Sequence, residues 1–158
     1  MRDAVALDDN PNRLAASAAT DELITAAHAH PADKIIIAGA NQLELLVACS
    51  RHGLLNAACR SANPRSGLKA DEADVLIAPA IDAEADLPCL LRCFGRALRP
   101  GGTLVIHSTA SAVFRNQRQF LSMFFHSGFA AVERRACRDN AGEVWLARKQ
   151  MKILAQAA

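Results

Sequence analysis

The residues best placed to do chemistry are His107 and the two hydroxyl residues that follow it, Ser108 and Thr109. They come directly after the apolar run 103–106, which predicts a buried strand. Open α/β sheets bind ligands at the carboxyl ends of their strands, so His107 stands where a general base would be useful. No carboxylate lies close in the sequence to orient the imidazole. His107 is therefore the catalytic candidate, and the alternative is a strand-end histidine that hydrogen-bonds to the backbone.

Two arginines, Arg60 and Arg65, flank the end of another predicted strand. Guanidinium groups at a strand end could bind a phosphate group. However, no glycine loop of the dinucleotide-binding form accompanies them. The alternative is a pair of solvated arginines on a loop.

The cysteines and histidines do not form a metal-binding pattern. The five cysteines are scattered and odd in number, which favours reduced thiols. Cys89 and Cys93 fall one turn apart on a predicted helix, but no CxxC motif or nearby Cys/His pair completes a zinc site. His28 and His30 alternate along the chain and so do not share a helical face. The sequence therefore predicts no metal site.

The composition is that of one globular domain spanning residues 1–158. Hydrophobic residues make up 51% of the chain, charged residues 22%, and the net charge is +2. This charge is too small and too dispersed to favour nucleic acid as a partner, and the absence of Tyr argues against a base-stacking surface. No apolar run has the roughly 18–20 residues of a membrane span, and no signal peptide is visible. We expect a cytoplasmic protein.

The elements that must position these residues alternate between helices and strands. Residues 1–10 are polar and expected to be flexible, and residues 11–30 have the spacing of an N-terminal helix. Residues 35–38 (IIIA) form a short β-branched run, which is typical of a strand buried on both faces. Residues 43–52 have helical spacing, and residues 55–59 predict a second strand.

The second half of the chain continues the alternation. The predicted elements are a strand (74–78), a helix (86–98), a strand (103–106), a helix (112–127) and two late strands (129–137 and 143–147). Pro100-Gly101-Gly102 predicts a sharp turn before the strand at 103. The link between the last two strands is too short for a crossover helix, so they form an antiparallel hairpin. The order predicts a three-layer α/β sandwich with a mostly parallel sheet.

Three stretches of the chain resemble the class I S-adenosylmethionine-dependent methyltransferases, whose fold is Rossmann-like. Residues 35–53 (IIIAGANQLELLVACSRHG) match the family's first strand, glycine loop and helix without a gap. Residues 74–108 contain the late signature RALRPGGTLVI, and residues 120–148 resemble the closing helix and hairpin. The resemblance covers most of residues 33–150, the predicted Rossmann-like core.

The resemblance also implies which residues would surround the cofactor. They are Gly39, Ala40 and Asn41 in the loop, Arg60 after the second strand, and Ala78 and Pro79 after the strand at 74. Several departures oppose cofactor binding. Asn41 and Leu43 stand where the family has its second and third glycines, and Ile37 and Arg60 replace two acidic residues. We expect Leu43 to pack in the interior, on a helical stripe that faces the sheet.

The chain is also shorter than the family pattern after the second strand. Residues 61–73 are too few for the helix, strand and helix that the family usually places there. We therefore expect the family's third strand to be missing, which leaves the second strand at the edge of the sheet.

Two functions are consistent with these residues. In the first, the chain is a degenerate methyltransferase-like domain that holds no cofactor and acts as a non-catalytic binding or structural protein. It would then form a homodimer or bind another protein. In the second, it is a small active methyltransferase that uses S-adenosylmethionine on a small molecule. A different nucleotide ligand is a third alternative.

Overall fold

The computed structural model describes residues 11–39, 41–61, 68–79, 87–108, 117–138 and 142–151, and of residues 11–18 only the backbone is described. The predicted flexibility of residues 1–10 concerns a segment outside these ranges. The elements are α1 (Pro11–Ala27), β1 (Ile35–Ala38), α2 (Gln42–Arg51), β2 (Ala57–Arg60), β3 (Ala73–Ala78), α3 (Leu87–Ala97), β4 (Leu98–Ser108), α4 (Gln117–His126), β5 (Phe129–Ala136) and β6 (Glu143–Lys149).

The six strands form one mixed sheet in the order β2-β1-β3-β4-β6-β5. The first four strands pair in parallel, and β6 pairs antiparallel with both β4 and β5. The predicted three-layer α/β class and its antiparallel C-terminal hairpin are confirmed. Within the described ranges no strand lies beyond β2, so this strand is at one edge, as expected from the short segment that follows it.

Each face of the sheet carries its own hydrophobic core, and β1 shows why. Ile35 and Ile37 pack into the core beneath α1 and α2, whereas Ile36 and Ala38 pack into the core beneath α3 and α4. All four side chains are at most 1% exposed. A strand covered on both faces needs apolar residues at every position, which is why the run does not alternate.

Several predicted boundaries are wrong by a few residues, and the differences have physical reasons. The second strand was expected at 55–59 but begins at Ala57, and Leu55 is 79% exposed. The fourth strand was expected only from residue 103 but begins at Leu98. Pro100-Gly101-Gly102 therefore bends a continuous strand instead of preceding it, because Gly101 adopts a left-handed φ of 79°.

The RALRPGGTLVI segment fixes the amino-terminal edge of the sheet. The Arg99 guanidinium donates to both carboxylate oxygens of Asp74, at 2.9 and 3.2 Å. Asp74 in turn accepts a hydrogen bond from the backbone N–H of Lys34, just before β1. A Cβ at Gly102 would lie 2.9 Å from the carbonyl oxygens of Arg99 and Asp74. This signature therefore joins three strands, at the edge opposite the expected cofactor site.

A search of the helices in the described ranges finds none that is long and apolar enough to cross a membrane.

Candidate functional site

The sheet brings the predicted site residues to one edge. The register aligns Arg60 with Ala38, Ile77 with Ile37, and Ala78 with Ile106. The carboxyl ends of β1 to β4 consequently form one row. Gly39, Arg60, Pro79 and His107 are the residues at or next to these strand ends, and this edge is where open α/β sheets bind ligands.

Gly39 makes the turn after β1 possible. Its φ is 125°, which L side chains rarely adopt, and a Cβ at this position would lie 3.1 Å from the Pro79 carbonyl oxygen. Ala78 and Pro79 are buried at the end of β3. The close approach of these two backbones explains the glycine without any ligand. Ala40, which was predicted to belong to the same site, lies outside the described residues.

Asn41 continues the turn in a left-handed conformation, with φ 56° and ψ 30°. Asparagine adopts left-handed backbone more readily than most residues, so Asn41 can occupy this position of the turn. The residue stands at the N-cap of α2, but its side chain makes no capping hydrogen bond and is exposed.

The prediction that Leu43 packs in the interior is wrong. Its side chain is 75% exposed, and the buried residues of α2 are Leu45, Ala48 and Cys49. These three follow i, i+3, i+4 spacing and form the stripe that faces the sheet. Leu43 and Val47 lie one turn apart on the outer side of the helix, and Val47 is 50% exposed.

Leu43 and Val47 line a groove between α1 and α2 with a volume of about 440 Å³. Its polar lining comes from both helices and includes Asp21 and Arg51. The Asp21 carboxylate also contacts the imidazole of His52, the residue after α2, at 3.1 Å, and this contact ties α1 to the end of α2. The groove is thus an open apolar strip with charged residues at its margins.

Arg60 is held by three contacts at the end of β2. Its backbone carbonyl accepts a 2.7 Å hydrogen bond from the Gln42 side-chain amide. Its guanidinium donates to the Cys59 carbonyl at 3.0 Å and forms an ion pair with Glu72 at 3.6 Å. The residue therefore presents no acceptor side chain at this strand end, since a guanidinium can only donate.

Glu72 forms ion pairs with two basic side chains, those of Lys34 and Arg60. Its carboxylate contacts the Lys34 ammonium at 3.4 Å and accepts a hydrogen bond from the Lys69 backbone N–H at 3.2 Å. Burial alone would raise the pKa of this carboxyl, but the Lys69 hydrogen bond and the charges of Lys34 and Arg60 outweigh burial and hold the pKa below its usual value. Sequence reasoning did not identify Gln42 or Glu72, because nothing local marks a long-range partner.

His107 and Ser108 are buried at the end of β4, with exposures of 7% and 1%. His107 lies opposite Val144 and Ser108 lies opposite Glu143 on β6. The Ser108 hydroxyl accepts and donates no hydrogen bond within the described ranges. A general-base role for His107 stays a prediction. The side chain is buried, so solvent has little access to its imidazole.

The sequence matches no protein-family model, and no curated protein matches it. Solved structures do match. A Haloferax volcanii complex of the Trm112 methyltransferase activator with a presumed methyltransferase has a TM-score of 0.67 and 10% identity, over 84% of this chain and 89% of that one. A SAM-dependent methyltransferase of Thermotoga maritima has a TM-score of 0.60 and 11% identity, over 89% and 95% of the two chains.

The [4+2]-cyclase SpnF is also similar, with a TM-score of 0.58 and 14% identity, over 87% of this chain and 82% of the cyclase. Identities this low show the fold alone, which is a class I methyltransferase-like fold. One of the matching proteins is named for a reaction other than methyl transfer, so the fold does not specify the chemistry.

Proposed function

We propose that this chain is a methyltransferase-like domain that does not hold S-adenosylmethionine tightly and acts by binding another protein. The observation that carries the proposal is the identity of Arg60 and the contacts that its side chain and backbone make. In the family that the sequence resembles, an acidic residue at this strand end accepts hydrogen bonds from the cofactor ribose. Here the side chain is a donor engaged with Glu72, and the backbone carbonyl is occupied by Gln42.

The loss of this acceptor has a definite energetic cost. A ribose hydroxyl that is buried without its partner costs about 1–3 kcal/mol. The same cofactor would also meet side chains at Asn41 and Leu43, both exposed at the start of α2, where glycines would leave open space. The residues present therefore do not fit the cofactor, and we derive no methyl-transfer step through it.

A protein-binding role is supported by the apolar strip on α2. Leu43 and Val47 together offer apolar surface beside the groove between α1 and α2. β2 adds an edge strand of four residues, three of them half-buried. Exposed apolar surface and an open strand edge are features of association sites. The Haloferax methyltransferase that matches this fold is itself bound to a partner protein, Trm112. The partner proposed here is a second copy or another protein.

The alternative function is a small active methyltransferase that acts on a small molecule. One observation favours it: the turn at Gly39 keeps a conformation that L side chains rarely adopt, and its backbone approaches β3 closely. A divergent loop on such a turn could still accept the cofactor, with Gly39, Asn41 and Pro79 around it.

Calorimetric titration with S-adenosylmethionine and with S-adenosylhomocysteine tests the two functions. We expect neither compound to bind more tightly than about 100 μM, which is about −5.5 kcal/mol. Low-micromolar binding of either compound would overturn the proposal that the chain has lost its cofactor. The Arg60→Asp variant, which restores an acceptor, serves as the matched comparison, and its thermal unfolding verifies that it is folded.

A further inference from the structure

The exposed face of α2 has a charge pattern as well as an apolar strip. Glu44 lies in the first turn of the helix and Arg51 in the last turn, and both line the same groove as Leu43 and Val47. All four side chains are exposed. Seven residues separate the two charged groups, which is two helical turns or about 10 Å. The helix therefore presents an acidic group near its start, a basic group at its end and apolar side chains between them.

This pattern is not satisfied by contacts within the chain. Among the residues that the structure describes, neither Glu44 nor Arg51 forms an ion pair. The two cannot meet each other, because neighbours on a helix surface are three or four residues apart. Asp21 of α1 also lines the groove, but its carboxylate is engaged by the His52 imidazole. The helix dipole favours the same order of charges, but it does not account for the exposed leucine and valine between them.

A second copy of α2 supplies both missing partners at once. A two-fold axis that passes near Val47 relates two helices that run antiparallel. Glu44 of each copy then lies beside Arg51 of the other copy, and the two apolar strips meet at the centre. Parallel helices would instead place like charges beside each other at both ends, which is unfavourable. Self-complementarity of this kind is what a closed two-fold interface requires.

We propose that α2 is the contact of a two-fold symmetric homodimer, in which the helices run antiparallel and two Glu44–Arg51 ion pairs flank Leu43 and Val47. This assignment rests on the proposed function and names its partner as a second copy of the chain. Burial of the apolar strips drives the association, and the ion pairs fix the orientation of the helices. Because α2 has only 10 residues, the contact is small and the dimer dissociates on dilution.

The test is sedimentation of the full-length chain over a range of concentrations. We expect a reversible equilibrium between monomer and dimer. Glu44→Arg and Arg51→Glu should each weaken dimerisation by about tenfold or more, because each places like charges together at both ends of the contact. Arg92→Glu is the matched control and should leave dimerisation unchanged, since it makes the same charge change on α3, at the opposite face of the sheet. Single variants that dimerise as well as the unmodified chain would overturn the proposal.

An equimolar mixture of the Glu44→Arg and Arg51→Glu chains gives the sharpest result. In the mixed dimer the two substitutions bring opposite charges together again at both ends. Dimerisation should therefore return to within about threefold of that of the unmodified chain, although each variant alone associates weakly. This recovery would also show that both variants are folded. A mixture that associates no better than the separate variants would overturn the proposal.

A measurement on the unmodified chain does not depend on any variant. Raising the NaCl concentration from about 0.05 M to about 0.5 M screens exposed ion pairs and should weaken dimerisation by about threefold or more. Dimerisation that is unchanged or strengthened by salt would overturn the assignment of the ion pairs.

The homodimer and the proposed function can fail separately. A chain that stays monomeric at every concentration overturns the homodimer, even if residues 1–10 or a different protein occupy the strip. Low-micromolar binding of S-adenosylmethionine overturns the loss of the cofactor, whereas the homodimer is supported as long as the mixture of variants dimerises.

Discussion

At the start of α2, a leucine projects into solvent where the resemblance to methyltransferases places a glycine. This residue, Leu43, is 75% exposed, so replacing it changes the space left for a ligand but leaves the packed core of the protein unchanged. Replacing a buried leucine would change both. A substitution at Leu43 can therefore test ligand space almost without disturbing the core.

Leu43→Gly should lower the free energy of unfolding by only about 1 kcal/mol, because the side chain buries little and glycine is a weak helix former. Leu45→Gly is the matched control. Leu45 is 2% exposed, so we expect a loss of about 2–5 kcal/mol from its cavity in addition to the helix term. Urea unfolding of both variants gives the comparison, and equal losses would contradict the assignment of the two helix faces.

Leu43→Gly alone should not restore binding of S-adenosylmethionine, because Arg60 still offers no acceptor. The double variant Leu43→Gly/Arg60→Asp removes both obstacles and is the sharper test by calorimetry. If the single variant binds the cofactor at low micromolar concentration without loss of stability, Leu43 blocks a working site and the result favours the enzyme alternative.

Ser108 presents the opposite situation, a buried polar group without a partner in the described ranges. A buried hydroxyl that makes no hydrogen bond costs about 1–3 kcal/mol, so removing it should not destabilise the chain. We expect Ser108→Ala to raise the free energy of unfolding by about 1 kcal/mol. A clear loss of stability in urea unfolding would mean that the hydroxyl has a partner in solution.

At the site, the sequence predicted what depends on backbone conformation and missed what depends on distant partners. Gly39 and Asn41 could be placed in a turn because their residue types tolerate left-handed backbone. Gln42 and Glu72 could not be identified, because their contacts with Arg60 span 18 and 12 residues and arise only when the strands are assembled.

Among the elements, α3 approaches the turn that precedes β5 closely at Gly95. A Cβ at Gly95 would lie 2.8 Å from the Ser127 carbonyl oxygen and 3.4 Å from the Phe129 ring. Glycine to alanine in a helix usually stabilises by about 1 kcal/mol, but overpacking costs about 1–3 kcal/mol. Backbone cannot move as a flexible side chain can, so overpacking should dominate.

We therefore expect Gly95→Ala to lower the midpoint of thermal unfolding, in contrast to the usual gain for such a change. Calorimetry or circular dichroism provides the measurement. A raised midpoint would mean that α3 and the turn after α4 are farther apart than the structure places them.

Glu72 joins the starts of β1 and β3 to the end of β2, and this link depends on pH. The pKa of Glu72 is lower in the folded chain than in the unfolded chain, where it is about 4.3. The contribution of Glu72 to the free energy of unfolding is therefore complete above the unfolded-state pKa, and it is lost as the pH falls through the folded-state pKa. Glu72→Gln should cost about 1–2 kcal/mol at pH 7.

Urea unfolding at a series of pH values checks this prediction. The difference between the unmodified chain and Glu72→Gln should shrink below about pH 4. Glu133→Gln is the control, because Glu133 also has a lowered pKa, caused by its hydrogen bond with Arg135, but is exposed on β5. A difference for Glu72→Gln that stays constant down to pH 3 would exclude the ionic origin.

At the same scale, the periodicity of the sequence predicted the kind and order of the elements better than their ends. The run at 35–38 identified β1 because burial on both faces requires apolar residues at each position. The extent of β4 was missed because a proline and two glycines usually stop a strand. Here the first of these glycines allows a bend: Leu98 pairs with Ala73 before it, and pairing with β3 resumes at Thr103 after a register shift.

For the whole molecule, the apolar strip on α2 and the open edge at β2 predict association. We expect light scattering at high concentration to report a dimer, or a partner protein to be recovered with the chain. Leu43→Asp/Val47→Asp should shift a dimer to the monomer. Phe125→Asp is the matched control, since Phe125 is 51% exposed on α4, on the opposite face of the sheet. A monodisperse monomer with no recovered partner would contradict this prediction.

The bridge from Arg99 through Asp74 to Lys34 lies at the opposite edge of the sheet from Gly39 and Arg60. Mutations that impair this bridge disturb three strands at once, whereas an exposed position at the other edge, such as Asn41, can change with little effect on the core. Natural selection can therefore preserve one edge while the other diverges. A chain with this architecture can change its binding edge while it stays folded, and the RALRPGGTLVI segment therefore reports the fold instead of the activity.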